Sequence, residues 1–234
     1  MMKKRGILVK LGILIGLILT GCSDRNQEEM VVMAEVKKKT KPPAEVMIPV
    51  TKDFMPNMNF VPRSNIPTHI VLHFISNAAN KPENPYMYED IRGVFIDYDV
   101  SPHYMIDRDG EIYFLLPESR AARHAGKGGI EGFPEYEDHL NKYSIGIELM
   151  AIGTEEEMQL IMSPDHYREI PAEHIGYTEA QYQALNLLID DILARNKQIK
   201  RDRVHIIGHD EYAPDRKTDP GDLFEWDKVF FTEE

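Results

Sequence analysis

The residues best suited to chemistry lie near the carboxyl end, in the stretch GHDEYAPDRKTDPG from 208 to 221. His209 offers a neutral imidazole nitrogen and Asp219 a carboxylate oxygen, and both groups are competent ligands for Zn²⁺. The loop between them is long enough to bring them together. Because two ligands do not make a site, a third must come from elsewhere, and His73 is the best-placed candidate. It lies in a short apolar run, and a ligand carried on a strand suits the rigidity that a metal site needs.

The elements that must position these residues can be read from hydrophobic periodicity. Short apolar runs rich in β-branched residues predict buried strands, and apolar residues repeating every three or four positions predict helices. The predicted strands are 68–75, 103–107, 111–116, 144–150 and 203–209, with a hairpin turn at 108–110. The predicted helices are 85–98 and 178–196, the second opening with a capping-box pair, Thr178 and Gln181. Strands alternating with helices, together with one antiparallel hairpin, favour a single α/β domain with a central mixed β-sheet flanked by helices.

Composition limits the class of protein. The chain has 234 residues, with 27 Lys and Arg against 39 Asp and Glu, a formal net charge of −12. Hydrophobic residues at 42% and charged residues at 28% are typical of a globular protein and exclude a disordered or polytopic membrane chain. The acidic balance argues against nucleic acid as a partner, since that binding needs clustered Lys and Arg. One cysteine excludes a disulfide-dense scaffold.

The amino-terminal segment predicts export. Basic residues at positions 3, 4, 5 and 10 precede the apolar stretch 11–19, which ends in Leu19-Thr20-Gly21-Cys22. This layout is typical of a signal peptide covering residues 1–21. Its ending resembles the lipobox of bacterial lipoproteins, which implies cleavage before Cys22 and lipidation of its thiol. The alternative left open is an uncleaved anchor with an incidental cysteine.

Residues 22–52 are interpreted as the lipidated cysteine and a flexible tether, and residues 53–234 as the folded domain. A lysine run at 37–39 precedes the proline pair Pro42-Pro43, and no apolar period holds across the segment. The lysines are either solvated or in contact with anionic lipid or wall polymer. Ser23 is not the Asp that retains lipoproteins in the inner membrane. The predicted location is therefore the outer membrane if the envelope has one, and otherwise the outer face of the cytoplasmic membrane.

Several motifs together resemble one known family. The pattern Gly-His-x7-Lys-Thr-Asp-Pro-Gly is similar to the C-terminal motif of the zinc-dependent N-acetylmuramoyl-L-alanine amidases, the amidase-2 family. This family shares its fold with phage lysozyme-type amidases and animal peptidoglycan recognition proteins. His73 in IVLHF resembles the family's first strand, and residues 101–113 its central hairpin. The segment 122–126 (ARHAG) resembles its Trp-His-Ala-Gly segment, and 144–149 (SIGIEL) its Ser-Ile-Gly-Ile-Glu strand.

The resemblance implies roles for individual residues. His73, His209 and Asp219 would bind Zn²⁺ and leave a fourth position for water or substrate. Glu148 would orient and deprotonate the water as general base, and Lys217 would stabilise the developing oxyanion.

Three further residues are candidates for binding substrate: His103, His124 and Arg123. For the two histidines a purely local structural role stays open. Arg123 replaces the family's Trp, and Pro102 stands where some relatives carry a catalytic Tyr, so that role is absent.

The resemblance predicts a lipoprotein amidase that cleaves the bond between the lactyl group of N-acetylmuramic acid and L-alanine, in peptidoglycan remodelling or recycling. Its expected partners are peptidoglycan or muropeptides and, through the lipidated amino terminus, a membrane; the protein is expected to be a monomer. One alternative is a non-catalytic peptidoglycan-binding or sensing lipoprotein, and another is hydrolysis of a different amide. Residues 150–177 form an insertion relative to the family, interpreted either as a flap shaping access for the glycan or as a surface excursion.

Overall fold

The computed structural model of the chain describes residues 45–230. The predicted signal peptide, Cys22 and most of the predicted tether lie outside these residues. Between 45 and 230, no helix has both the length and the apolar character needed to cross a membrane.

The centre of the fold is a mixed β-sheet, which confirms the predicted α/β class. The strands of residues 45–230 are Thr51–Lys52 (β1), Phe60–Pro62 (β2), His69–Ile75 (β3), Tyr104–Ile106 (β4), Ile112–Phe114 (β5), Arg120–Ala122 (β6), Ser144–Met150 (β7) and Ile206–Gly208 (β8). Six of them form one sheet in the order β1-β5-β4-β7-β3-β8. Strands β4, β7, β3 and β8 run parallel, and β5 pairs antiparallel with β4 as the predicted hairpin. Strands β2 and β6 form a separate antiparallel pair.

Helices cover both faces of this sheet. Those of residues 45–230 are Tyr88–Asp97 (α1), Glu155–Met158 (α2), Pro164–Tyr167 (α3), Glu179–Arg195 (α4), His209–Tyr212 (α5) and Asp227–Phe230 (α6). Both long helices were predicted, and each is shorter than its apolar pattern by one to three residues at the ends. In α4 the predicted capping box is present, because the side chains of Thr178 and Gln181 each bond to the other's backbone N–H.

Successive side chains of β7 lie on opposite faces of the sheet. Ile145, Ile147 and Leu149 face α4 in the largest apolar cluster, whereas Met150 packs with α1 on the opposite face. Because successive side chains of a strand point to opposite faces, Glu148 shares the α1 face with Met150. One strand therefore anchors a helix and presents a carboxylate to the other side of the sheet.

The folded part of the chain begins earlier than predicted. Val46, Ile48 and Val50 pack against the α4 cluster, and Thr51–Lys52 pairs with β5. The boundary predicted at residue 53 is wrong at this point, and residues 45–52 belong to the domain. The apolar alternation 46, 48, 50 is only three residues long and follows a lysine run, so it left little periodic signal. A tether over residues 23–44 stays a prediction.

The insertion 150–177 is folded rather than irregular. It contains α2, α3 and the 3₁₀ turn Ala172–His174. Met158, Met162 and Ile170 pack with Ile152 and Ala78 in a small apolar cluster of their own. The segment thus has a fixed shape beside the site.

Candidate metal centre and catalytic site

The parallel strands bring the predicted residues to one edge of the sheet. His73 in β3 lies directly across from Glu148 in β7, and β8 ends immediately before His209. The carboxyl ends of parallel strands meet at the same edge, which is where open α/β sheets bind their ligands. Residues distant in sequence therefore become neighbours through strand register.

The three predicted metal ligands converge. His73 Nδ1 lies 2.8 Å from Asp219 Oδ2, and His209 Nδ1 lies 3.0 Å from the same oxygen. The two Nδ1 atoms are 3.0 Å apart. All three residues are buried, and one ligand atom from each falls within 4.8 Å of the others. The set contains two imidazoles and one carboxylate, a donor combination that suits a catalytic zinc site with an open position.

The loop that carries Asp219 is held at three points. The backbone N–H of Asp210 donates to Asp219 O at 2.8 Å, closing the loop onto the start of α5. The Tyr177 hydroxyl donates to Pro220 O at 2.7 Å. The backbone N–H of Asp222 donates to Glu157 Oε1 at 2.6 Å, so the insertion contributes to this support.

The electrostatics favour the protonation states that a metal requires. Burial, together with the neighbouring His209, lowers the pKa of His73 to about 4, so its imidazole is neutral. Burial raises the pKa of Asp219, but contacts with the imidazole groups of His209 and His73 outweigh it and hold that pKa well below its usual range. Two neutral imidazoles and an ionised carboxylate are the forms that coordinate Zn²⁺.

His209 is oriented by the backbone. Its Nε2 lies 2.8 Å from Ala125 O, and a carbonyl oxygen can only accept a hydrogen bond. The proton of a neutral His209 is therefore on Nε2, which leaves a lone pair on Nδ1 facing His73 and Asp219. Such outer partners set the tautomer of metal-binding histidines.

Glu148 is buried without a full set of partners. Its Oε2 has no hydrogen-bond partner among residues 45–230. Burial and the nearby Asp219 raise the pKa of this carboxyl well above its usual value, while Lys217 acts in the opposite direction. An unsatisfied buried carboxylate oxygen is costly, and such perturbed groups concentrate at functional sites.

A cavity of about 640 Å³ opens over these groups. Its cationic side chains are Arg123, Arg216 and Lys217, and its apolar ones include Met158, Leu160 and Ile161 from the insertion. This volume is within the range of small-molecule sites. The insertion therefore forms part of the cavity wall, and its role as a flap stays a prediction.

The residues predicted to bind substrate have different surroundings. Arg123 lines the cavity and forms an ion pair with Asp99. His124 also lines the cavity, but both of its ring nitrogens bond to protein atoms, those of His73 and Ser144.

The prediction that His103 binds substrate is wrong in this structure, because the residue is fully buried. His103 Nδ1 accepts a hydrogen bond from Gly146 N at 3.0 Å. Its Nε2 lies 3.0 Å from both Arg120 O and Arg63 Nη2. Both ring nitrogens are thus engaged, and His103 supports the sheet behind the site.

Three residues in or around the site were not recognised in the sequence. Glu157 stood in an acidic triplet that resembles a solvated face, yet it is buried against the Asp219 loop. Ser144 began a strand as an ordinary polar residue. Arg216 stood next to Lys217 in the ligand loop, and that position was the one available signal for its place in the cavity wall.

Comparisons with known proteins agree on one family. A family model described as N-acetylmuramoyl-L-alanine amidase, Amidase_2, matches residues 63–222. The 1,6-anhydro-N-acetylmuramyl-L-alanine amidase AmpD of Salmonella typhimurium is 31% identical over 183 residues, covering 73% of this chain and 83% of AmpD. The N-acetylmuramoyl-L-alanine amidase AmiD of Escherichia coli is 34% identical over 141 residues, covering 57% of this chain and 44% of AmiD.

Solved structures of an AmpD and of AmiD share the fold. The crystal structure of a selenomethionine derivative of AmpD superposes with a TM-score of 0.56 and 27% identity, covering 77% of this chain and 92% of that one. AmiD of E. coli, in complex with the substrate anhydro-N-acetylmuramic acid-L-Ala-D-γ-Glu-L-Lys, superposes with a TM-score of 0.51 and 27% identity. That match covers 73% of this chain and 64% of AmiD.

Proposed function

The chain belongs to the N-acetylmuramoyl-L-alanine amidase family, and on that basis we propose that it is a zinc-dependent member of it. It would hydrolyse the amide bond between N-acetylmuramic acid and L-alanine of the peptidoglycan stem peptide. The observation that carries the proposal is the convergence of His73, His209 and Asp219 beside the unpartnered Oε2 of Glu148. A module that only binds wall fragments has no need of this costly arrangement.

The site residues would have separate roles in the hydrolysis. His73, His209 and Asp219 would hold the ion, which when bound supplies Lewis acidity and lowers the pKa of water to about 7. Glu148 would hold the attacking water through Oε2, accept its proton as the oxygen bonds to the amide carbon, and pass it to the departing L-alanine nitrogen. Lys217 would stabilise the negative charge that develops on the carbonyl oxygen.

Muropeptides are the proposed substrates. AmpD is named for 1,6-anhydro-N-acetylmuramyl-L-alanine, and the AmiD structure holds an anhydro-muramyl tripeptide. The cavity of about 640 Å³ suits the sugar, the lactyl group and the first residues of a stem peptide. The cations Arg123, Arg216 and Lys217 are complementary to the carboxylates of such peptides. We therefore place the activity in peptidoglycan recycling or remodelling.

The proposed location is outside the cytoplasmic membrane. It rests on the lipobox-like ending at Cys22, which implies an acylated amino terminus. In an envelope with two membranes the outer membrane is the proposed site, because Ser23 follows the cysteine. The proposed active form is a monomer.

Digestion of purified peptidoglycan and of anhydro-muramyl peptides by the chain without residues 1–22 tests this function. The expected products, read by mass spectrometry, are stem peptides with a free L-alanine amino terminus, lost on chelation and restored by Zn²⁺. Retention of muropeptides without cleavage by the zinc-loaded protein would favour a binding module. Cleavage of another bond would overturn the substrate assignment.

A further inference from the structure

A chain of hydrogen bonds leads from the proposed metal ligand His73 to a backbone carbonyl. His73 Nε2 lies 2.9 Å from His124 Nδ1, on the side of the ring away from Asp219. His124 Nε2 lies 3.0 Å from Ser144 Oγ, and Ser144 Oγ lies 2.7 Å from Leu140 O. Three side chains and one carbonyl thus form a continuous line ending at the ligand cluster.

The backbone end sets the direction of the bonds. Leu140 O can only accept, so the single hydroxyl proton of Ser144 points to it. Ser144 Oγ then has only lone pairs to offer His124, whose Nε2 must carry a proton. A neutral His124 with its proton on Nε2 presents a lone pair at Nδ1, and His73 Nε2 must donate to it.

The His73 end of the chain requires the same direction of hydrogen-bond donation. His73 Nδ1 faces Asp219 and His209, so it is the atom that would bind a metal. Metal binding needs a lone pair there, which puts the proton of a neutral His73 on Nε2. That proton needs an acceptor, and His124 Nδ1 is the atom in reach. The two independent ends therefore select the same arrangement of protons.

Close packing keeps His124 in this line. A Cβ added to Gly146 would lie 2.5 Å from His124 Cγ, so only glycine lets the imidazole rest against β7. Ring centroids of His73 and His124 are 5.1 Å apart and nearly perpendicular. The ring cannot turn away from His73 without displacing its neighbours.

We propose that Ser144 and His124 form a relay that positions His73, fixing its proton on Nε2 so that Nδ1 is free to bind the metal. His124 is then a positioning residue rather than the substrate contact predicted from the sequence. His209 has a rigid backbone acceptor, Ala125 O, whereas His73 depends on two side chains. This inference rests on the proposed zinc site and assigns residues that support it.

The first measurement needs no variant. Long-range ¹H–¹⁵N correlation spectra of the zinc-loaded protein, assigned at His124, report which ring nitrogen is protonated. We expect a protonated Nε2 and an unprotonated Nδ1. The opposite tautomer of His124 would overturn the relay, whether or not the protein hydrolyses peptidoglycan.

Zinc affinity provides the second test, measured by competition with a chromophoric chelator. Ser144→Ala removes the acceptor for His124 Nε2 and His124→Ala removes the acceptor for His73 Nε2. We expect affinity to fall about 10-fold and up to about 100-fold respectively, the range for partners of metal ligands. Ser144→Thr keeps the hydroxyl and is expected to retain most of the affinity.

Ser101→Ala is the matched control. Ser101 is as buried as Ser144, and its hydroxyl also donates to a backbone carbonyl, Asn59 O at 2.6 Å. The Ser101→Ala substitution should leave zinc affinity unchanged. Wild-type affinity in Ser144→Ala would refute the relay while leaving the zinc site standing. A wild-type protein that binds no zinc would overturn the metal site and the relay together, and tight zinc binding without hydrolysis would overturn only the proposed function.

Discussion

Glu148 and Lys217 line the same cavity but experience different environments. The carboxyl is buried with one oxygen unpartnered, whereas Lys217 is half-buried on the ligand loop. Asp219 repels the ionised form of Glu148 and Lys217 stabilises it. The lysine therefore influences the proposed base as well as the proposed oxyanion.

Replacing Lys217 with Met tests this double influence. A general base works when deprotonated, so activity should rise as the pH increases through the pKa of Glu148. Because the lysine charge lowers that pKa, its removal should move the acidic limb of the kcat profile to higher pH. The value of kcat should also fall about 10²- to 10³-fold, as when an oxyanion partner is lost.

Lys217→Arg is the control for the pH profile. It keeps the charge, so the acidic limb should stay in place even if kcat falls. An unshifted limb in Lys217→Met would show that the lysine does not act on the base.

At the scale of elements, Glu157 links the insertion to the ligand loop. Its carboxylate accepts from Asp222 N at one oxygen and from Thr154 N at the other, each at 2.6 Å. Glu157→Ala leaves both partly buried donors unpaired, and hydrogen bonds to charged groups contribute about 1.5–3 kcal/mol each. We expect the free energy of unfolding in urea to drop by about 2 kcal/mol and zinc affinity to fall.

The neighbouring Glu156 provides the comparison, since it belongs to the same helix and is exposed. Glu156→Ala should change neither the free energy of unfolding nor the free energy of zinc binding by more than about 0.5 kcal/mol. Equal effects of the two substitutions would contradict a specific link between α2 and the loop.

The insertion also supplies an apolar part of the cavity wall. Leu160 and Ile161 are 64% and 58% exposed, so they add little to the stability of the free protein. Replacing both with Ser should raise KM for muropeptides about 10-fold, equivalent to ~1.4 kcal/mol of lost apolar contact, with kcat little changed.

Leu187→Ser is the control for this experiment, because it also replaces an exposed apolar side chain. Leu187 is 59% exposed and lies on α4, outside the site cavity. Its substitution should leave KM at the wild-type value. If the double variant also keeps that value, the insertion is a surface excursion and not a flap.

At the scale of the whole molecule, residues 45–52 decide where the domain begins. Val46, Ile48 and Val50 are partly buried against the α4 cluster. A chain starting at 53 should be less stable than one starting at 45 by about 3 kcal/mol, at roughly 1 kcal/mol for each partly buried side chain. Urea unfolding of the two chains measures the difference, and equal midpoints would restore the boundary at 53.

The proposed attachment to a membrane also belongs to the scale of the whole chain. Several buried acyl chains anchor far better than one, since each CH₂ contributes about 0.8 kcal/mol. Cys22→Ala should move the protein from the membrane fraction to the soluble fraction and abolish incorporation of labelled palmitate. Membrane retention of this variant would instead support an uncleaved amino-terminal anchor.

Local patterns were sufficient to predict much of the fold and the core of the site. The strand leading to His209, the loop from His209 to Asp219 and the capping box at Thr178 each depend on residues close together in sequence. Periodicities of two and 3.6 report which face of an element is apolar, and both long helices and five of the six strands of the main sheet followed from them. The family motifs then connected His73 and Glu148 to the same site.

Tertiary structure alone decided how these residues are supported. The burial of His103, the relay through Ser144 and His124, and the Glu157 link all join side chains that are distant along the chain. Such contacts are set by strand register, by the close approach that Gly146 permits and by a folded insertion, and none of these leaves a local period. The sequence by itself thus determined which groups are candidates for the chemistry, while packing in three dimensions determined their burial, orientation and hydrogen-bond partners.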